Sequence, residues 1–218
     1  MTTQTIAVSV EATPKKAFAT AVDWPGWSRS GKTEELALAA LLDYAPRYAV
    51  VAEEAEVLFD PGDYEVVERT KGASGTDFGV PSSITDLDRR PVDVAEAERQ
   101  TRLVKAAWTV LARVAAGAPA ELRKGPRGGG RDRDKMVGHV AESDTYYARE
   151  VGITGKRPDP TDSQAIEATR AEMLDILRRR SDGSALAGRT WTARYAARRI
   201  AWHALDHAWE MEDRSDPA

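Results

Sequence analysis

The feature that most constrains the fold is a change of hydrophobic period near residue 90. Before it, short runs alternate apolar and polar residues, as in TIAVSVEA, where Ile6, Val8 and Val10 share one side. After it, apolar residues recur at helical spacing over long stretches, and no convincing strand follows. KAFATAVDW, with Phe18 and Val22, reads as a second strand, and DWPGWSRSG as a Pro25-Gly26 turn leading into a short third. Thr33 then precedes EELALAALLDYA, a helix start with acidic residues in its first turn. Pro46 ends or kinks that helix. DYEVVERTK, Asp63 to Lys71, reads as a further strand, and GASGTDFGVPSSI as glycine-rich loop.

Four amphipathic stretches fill the rest, about Val92–Ala116, Arg133–Val151, Ser163–Arg180 and Thr190–Glu212. Four such helices joined by loops predict a four-helix bundle. The fold class expected is α+β, in two domains: residues 1–88 as a small α+β unit and 89–218 as the bundle. The hydrophobic share of 42% supports a substantial core. Trp24 and Trp27 are expected to pack in the core or at its edge rather than form a binding platform.

Charge excludes some partners. A net charge of -4 with both signs mixed argues against nucleic acid and anionic membranes. No stretch approaches the ~20 apolar residues of a membrane span. The N-terminus lacks a signal-peptide pattern, so the expected location is cytoplasmic. The absence of cysteine removes disulfides, thiolate ligands and a cysteine nucleophile. Any thiol chemistry must recruit its thiol from outside the chain.

Histidine is scarce, and its placement is the chemical signal. Two of the three histidines, His203 and His207, stand four apart in IAWHALDHAWEMEDR; the third, His139, lies in DKMVGHVAESDTYYARE. On a helix, i and i+4 lie on one face with Cβ atoms ~6 Å apart, so two imidazoles can converge on one metal ion. The spacing alone fits equally a pair of buried histidines satisfied by polar neighbours. Glu142, Asp206 and Glu210 are placed to orient imidazoles. Glu142, i+3 from His139, is the candidate catalytic acid/base, or else a solvent-facing helix residue. Tyr195, Trp202 and Trp209, at i, i+7 and i+14, form a packing stripe or pocket wall. RKGPRGGGRDRDK leads into the His139 helix; Arg127 and Arg131 are candidates for clamping a carboxylate, or belong to a solvated loop. Arg194, Arg198 and Arg199 are expected on the exposed face of the last helix.

Two resemblances sharpen these readings. AVDWPGWSRSGKTEELALAAL, with Trp24-Pro25-Gly26 and Gly31-Lys32-Thr33-Glu34-Glu35, resembles HicB-like domains over roughly residues 4–45. HicB antitoxins add a DNA-binding segment, and no such appendage is visible here. HVAESDTYY followed by AWHALDHAWE is similar to the DinB/YfiT-like four-helix family over roughly residues 92–218. That family holds a divalent metal with a histidine on its second helix and an H-x-x-x-H pair on its last, which carry over as His139, His203 and His207. Three neutral imidazoles suit zinc, or nickel or iron with higher coordination, and zinc or nickel is the expected metal. The resemblance also implies a low-molecular-weight thiol of the mycothiol or bacillithiol type, because the family includes thiol-dependent S-transferases and an isomerase. Two functions follow as expectations: a metal-dependent transferase, isomerase or hydrolase with a small-molecule substrate, or a non-catalytic protein whose HicB-like half binds a partner while the bundle serves as scaffold. A homodimer is the expected assembly, and a metal-free, stable dimer favours the second.

Overall fold

The computed structural model describes residues 4–125 and 129–215. Strands β1 (Gln4–Ala12), β2 (Ala17–Ala21) and β3 (Ser28–Gly31) form an antiparallel meander. Helices α1 (Glu34–Asp43) and α2 (Ala45–Glu54) then carry the chain across, so that β4 (Pro61–Lys71) pairs with β1 in parallel. The sheet order is β3-β2-β1-β4. Parallel pairing requires such a crossover, whereas the meander needs only turns.

Ile6, Val8 and Val10 share one side as expected, but Ser9 and Glu11 on the other side are buried too, so burial does not alternate along β1. Ile6, Val8 and Val10 are buried, with Val8 opposite Ala21 and Val10 opposite Ala19. Every residue of β2 is buried, so both of its faces are covered. The polar Glu11 is buried too, and its carboxylate accepts hydrogen bonds from Thr76 Oγ1 (2.7 Å), Ser82 N (3.1 Å) and Ser83 N (2.8 Å). Those bonds tie the glycine-rich segment to the sheet. Within it a short helix, α3 (Ser74–Phe78), forms where the sequence predicts only loop; Thr76, its buried residue, links it to Glu11.

Thr33 caps α1 as expected, accepting from Leu36 N at 3.3 Å. Pro46 does more than end that helix. It stands in the first turn of α2, where its missing N–H costs nothing, and Tyr48, Val51 and Ala52 give this unpredicted helix its buried face. Trp27 is fully buried, stacks on Tyr48 at 5.3 Å and donates to Leu41 O at 2.8 Å. Trp24 is buried beside it, and both tryptophans are core residues as expected.

The second half supplies α4 (Val94–Gly117), α5 (Arg133–Glu150), α6 (Ser163–Leu177) and α7 (Ala193–Ser215). They pack cyclically: α4 on α7, α7 on α5, α5 on α6 and α6 on α4. Asp93 caps α4 through Glu96 N (2.8 Å), and Asp162 caps α6 through Ala165 N (3.0 Å). The side of α7 turned away from α5 meets the first half. Trp202 packs edge-on against Phe18 at 6.1 Å, Arg29 pairs with Asp206 at 3.0 Å, and Gly26 sits against Ala201 and Leu205. Buried side chains from both halves, among them Val8, Trp27, Tyr48, Leu103, Met136, Ile200 and Trp209, belong to one continuous core.

That arrangement corrects the expectation for the arginines of α7. Arg194 and Arg198 are buried rather than on an exposed face. Arg198 makes a two-point contact with the buried Asp88, at 2.8 and 2.6 Å. Arg194 pairs with Asp23 and Glu96, each at 3.3 Å. The reason is tertiary: the sheet and the segment before α4 cover a helix side that would face water in an isolated bundle, and each buried charge is held by carboxylates. Among the described residues, no helix is long and apolar enough to cross a membrane.

Candidate metal centre

Met136 and Val140, one turn apart and fully buried, fix the rotation of α5 about its axis. His139, between them in sequence, is thereby left at the margin of the core and turned toward α7. On α7, small residues keep the backbone close to its neighbours: Ala196, Ala197, Ala201, Ala204 and Ala208 are all buried. His203 and His207 project from this helix toward α5 and are themselves buried.

The three imidazoles meet. One ligand-capable nitrogen from each lies within 4.8 Å of the other two. Nε2 of His203 is 3.3 Å from Nε2 of His139. The ring centroids are separated by 5.0 Å (His139–His203), 5.1 Å (His139–His207) and 4.8 Å (His203–His207). Two nitrogens each ~2.0–2.1 Å from a tetrahedral zinc ion stand about 3.3 Å apart, so the His139–His203 pair already spans one edge of such a site. These three histidines form a cluster that could hold a metal ion.

The surroundings favour neutral rings. Burial first, then the neighbouring His207 and Arg199, pushes the His203 imidazole down to about 2. Burial and the charge of Arg131 also lower His139. A neutral imidazole is the form that binds a metal. His207 Nδ1 lies 3.1 Å from Glu210 Oε2, which leaves Nε2 as its free ligand atom. A carboxylate behind an imidazole fixes its tautomer and raises its basicity toward an ion. Glu210 is held in turn by Arg214 at 2.8 Å, and the hydrogen bond with His207 keeps its carboxyl below the usual range. Nδ1 of His203 is sealed from solvent without a hydrogen-bond partner.

The other candidates fall in different places. Of the three acidic residues, Glu210 alone bonds an imidazole, while Asp206 turns to Arg29. Glu142 is exposed, one turn beyond His139, close enough for its charge to act on that ring. Arg131 is exposed, and its charge reaches both His139 and His203. Arg127 lies outside the described residues. The stripe of Tyr195, Trp202 and Trp209 is buried packing as expected, with Trp202 also a wall of the site, its ring 6.1 Å from that of His203.

Two neighbours of the cluster escape the sequence reading. Tyr147 of α5 lies edge-on to His203 at 5.7 Å. Arg199 of α7 stacks over both Tyr147 (5.4 Å) and Trp202 (4.7 Å). A signal for Arg199 is present in the sequence, since 199, 203 and 207 continue one i, i+4 series. Comparison with family models, curated proteins and solved structures finds no match to this chain.

Proposed function

We propose that the protein is a metal-dependent enzyme acting on a small-molecule substrate, with His139, His203 and His207 holding one divalent ion, zinc or nickel. The observation that carries this reading is the convergence of the chain's three histidines, with Nε2 of His139 and His203 3.3 Å apart. Three neutral ligands leave the charge of a bound ion undiminished, and the ion would supply Lewis acidity to a further ligand. Glu210 orients His207. Glu142 is the candidate to move a proton at the mouth of the site, given its exposure and its place one turn from His139.

The finer reading rests on the likeness of HVAESDTYY and AWHALDHAWE to DinB/YfiT-like proteins. It is a thiol-dependent S-transferase or isomerase that recruits a thiol of the mycothiol or bacillithiol type, in keeping with a chain without cysteine. The test is turnover of electrophilic and isomerisable substrates with each thiol, using zinc- or nickel-loaded protein and a chelator-treated control. Thiol-dependent turnover that disappears in His203→Ala supports the reading. A loaded protein that accelerates no such reaction overturns the enzyme reading, whatever its metal content.

A further inference from the structure

Arg199 differs from the two arginines beside it. Arg194 and Arg198 each meet carboxylates, whereas among the described residues Arg199 has no ion pair and no hydrogen bond. Its guanidinium is stacked over the rings of Tyr147 and Trp202, and its Nη1 is sealed from solvent with no acceptor within reach. Arg199 as a residue is partly buried, but a sealed charged nitrogen is costly unless something accepts from it. The same two rings also lie against His203, at 5.7 and 6.1 Å, so the guanidinium and the histidine cluster share their walls. Arg199 stands one helical turn before His203, with Cβ atoms about 6 Å apart.

We propose that Arg199 is the specificity residue of this site and binds an anionic group, a carboxylate in the first instance, of a ligand whose other end occupies the metal centre. This rests on the metal reading above and adds the substrate class: small molecules carrying a carboxylate a few bonds from the atom offered to the metal. A guanidinium set against two aromatic rings, 5.4 and 4.7 Å from their centroids, has lost little freedom to be used in this way, and it matches a carboxylate in shape as well as charge. Lysine would offer only a point charge.

The probes are simple thiols, whose sulfur ligates the metal and whose second group differs. Protein loaded with cobalt(II) is titrated with mercaptoacetate, 3-mercaptopropionate and the neutral 2-mercaptoethanol at one fixed pH, reading the sulfur-to-cobalt absorption. Cobalt loading is measured first and separately, so a chain that takes up no cobalt counts against the metal reading, not against the role of Arg199. The expected result is that at least one carboxylate thiol binds about tenfold or more tightly than 2-mercaptoethanol, the scale of a charge-assisted pair. Arg199→Gln removes that preference while cobalt loading is retained, and Arg131→Gln keeps it. Arg199→Lys, the variant least disturbing to charge, keeps part of it and serves if Arg199→Gln does not fold. Equal binding of charged and neutral thiols by the wild type overturns the proposal. So does a preference that survives in Arg199→Gln, or one that Arg131→Gln abolishes instead.

Discussion

At the scale of single residues, burial sets the behaviour of His203. Its folded-state imidazole is lowered to about 2, far below an ordinary histidine, with burial as the main cause. The unfolded chain therefore takes up a proton near pH 6.5 that the folded chain refuses. The stability tied to this residue is present above pH 6.5 and is lost as pH falls below it. For chelator-treated protein, His203 is expected to contribute a loss of about 2 kcal/mol between pH 7 and pH 5. Urea unfolding at the two pH values, compared with His203→Gln, measures it. A variant with the same pH dependence as the wild type contradicts the account. Asp88 and Arg198 make the complementary case of a buried pair. Asp88→Ala strands the Arg198 guanidinium, and unfolding free energy should fall by about 3–5 kcal/mol. A loss under ~1 kcal/mol in the same urea experiment would mean that Arg198 finds water or another partner.

At the scale of elements, the turn between β2 and β3 is the point at which the sheet docks on α7. Gly26 has φ +94°, and a Cβ there would stand 2.6 Å from Leu205 Cδ1 and 3.1 Å from Ala201 Cβ. Gly26→Ala is expected to cost about 1–3 kcal/mol in chemical denaturation, through backbone strain and the clash together. An unchanged midpoint would show that the contact with α7 yields freely. Length helped but did not decide which elements were legible: the four-residue β3 was expected and the ten-residue α2 was not. Helices α4 to α7 lie close to their predicted bounds because long amphipathic stretches state their period clearly. Helix α2 was not expected as a separate element because Pro46 reads as a stop or a kink, although it also suits a helix start. Helix α3 was missed because glycines mask a turn secured by distant partners, Glu11 through Thr76 and Thr13 through Asp77, each more than sixty residues away. The histidine cluster was legible because a rare residue recurred at i, i+4 on one helix and once on another. The position of Arg199 continues that i, i+4 series, but its unpaired state was not legible, since it depends on which carboxylates the fold gives to Arg194 and Arg198.

At the scale of the whole molecule, the period change near residue 90 marks a change of architecture within a shared interior. The sheet and α1–α2 belong with α4 and α7 to one continuous core, and Asp23, Asp88 and Arg29 tie the two parts by ion pairs. Calorimetric unfolding of the chelator-treated protein is therefore expected to give one transition, with calorimetric and van't Hoff enthalpies equal. Two resolved transitions would instead make residues 1–88 and 89–218 independent units that merely touch. The same enclosure of α7 explains the site. A helix covered on one side by the sheet and on the other by α5 excludes water from His203 and gives it reason to stay neutral.

The central claim is that the three histidines bind one ion together. The direct measurement is zinc binding by tag-free, chelator-stripped protein at pH 7.5, followed by isothermal titration, with circular dichroism to verify each fold. The wild type is expected to bind one zinc per chain, with binding weakened about 100-fold or more in His203→Ala, His207→Ala and His139→Ala and helical content unchanged. No zinc uptake by the folded wild type, or uptake that survives each of the three substitutions, would contradict it.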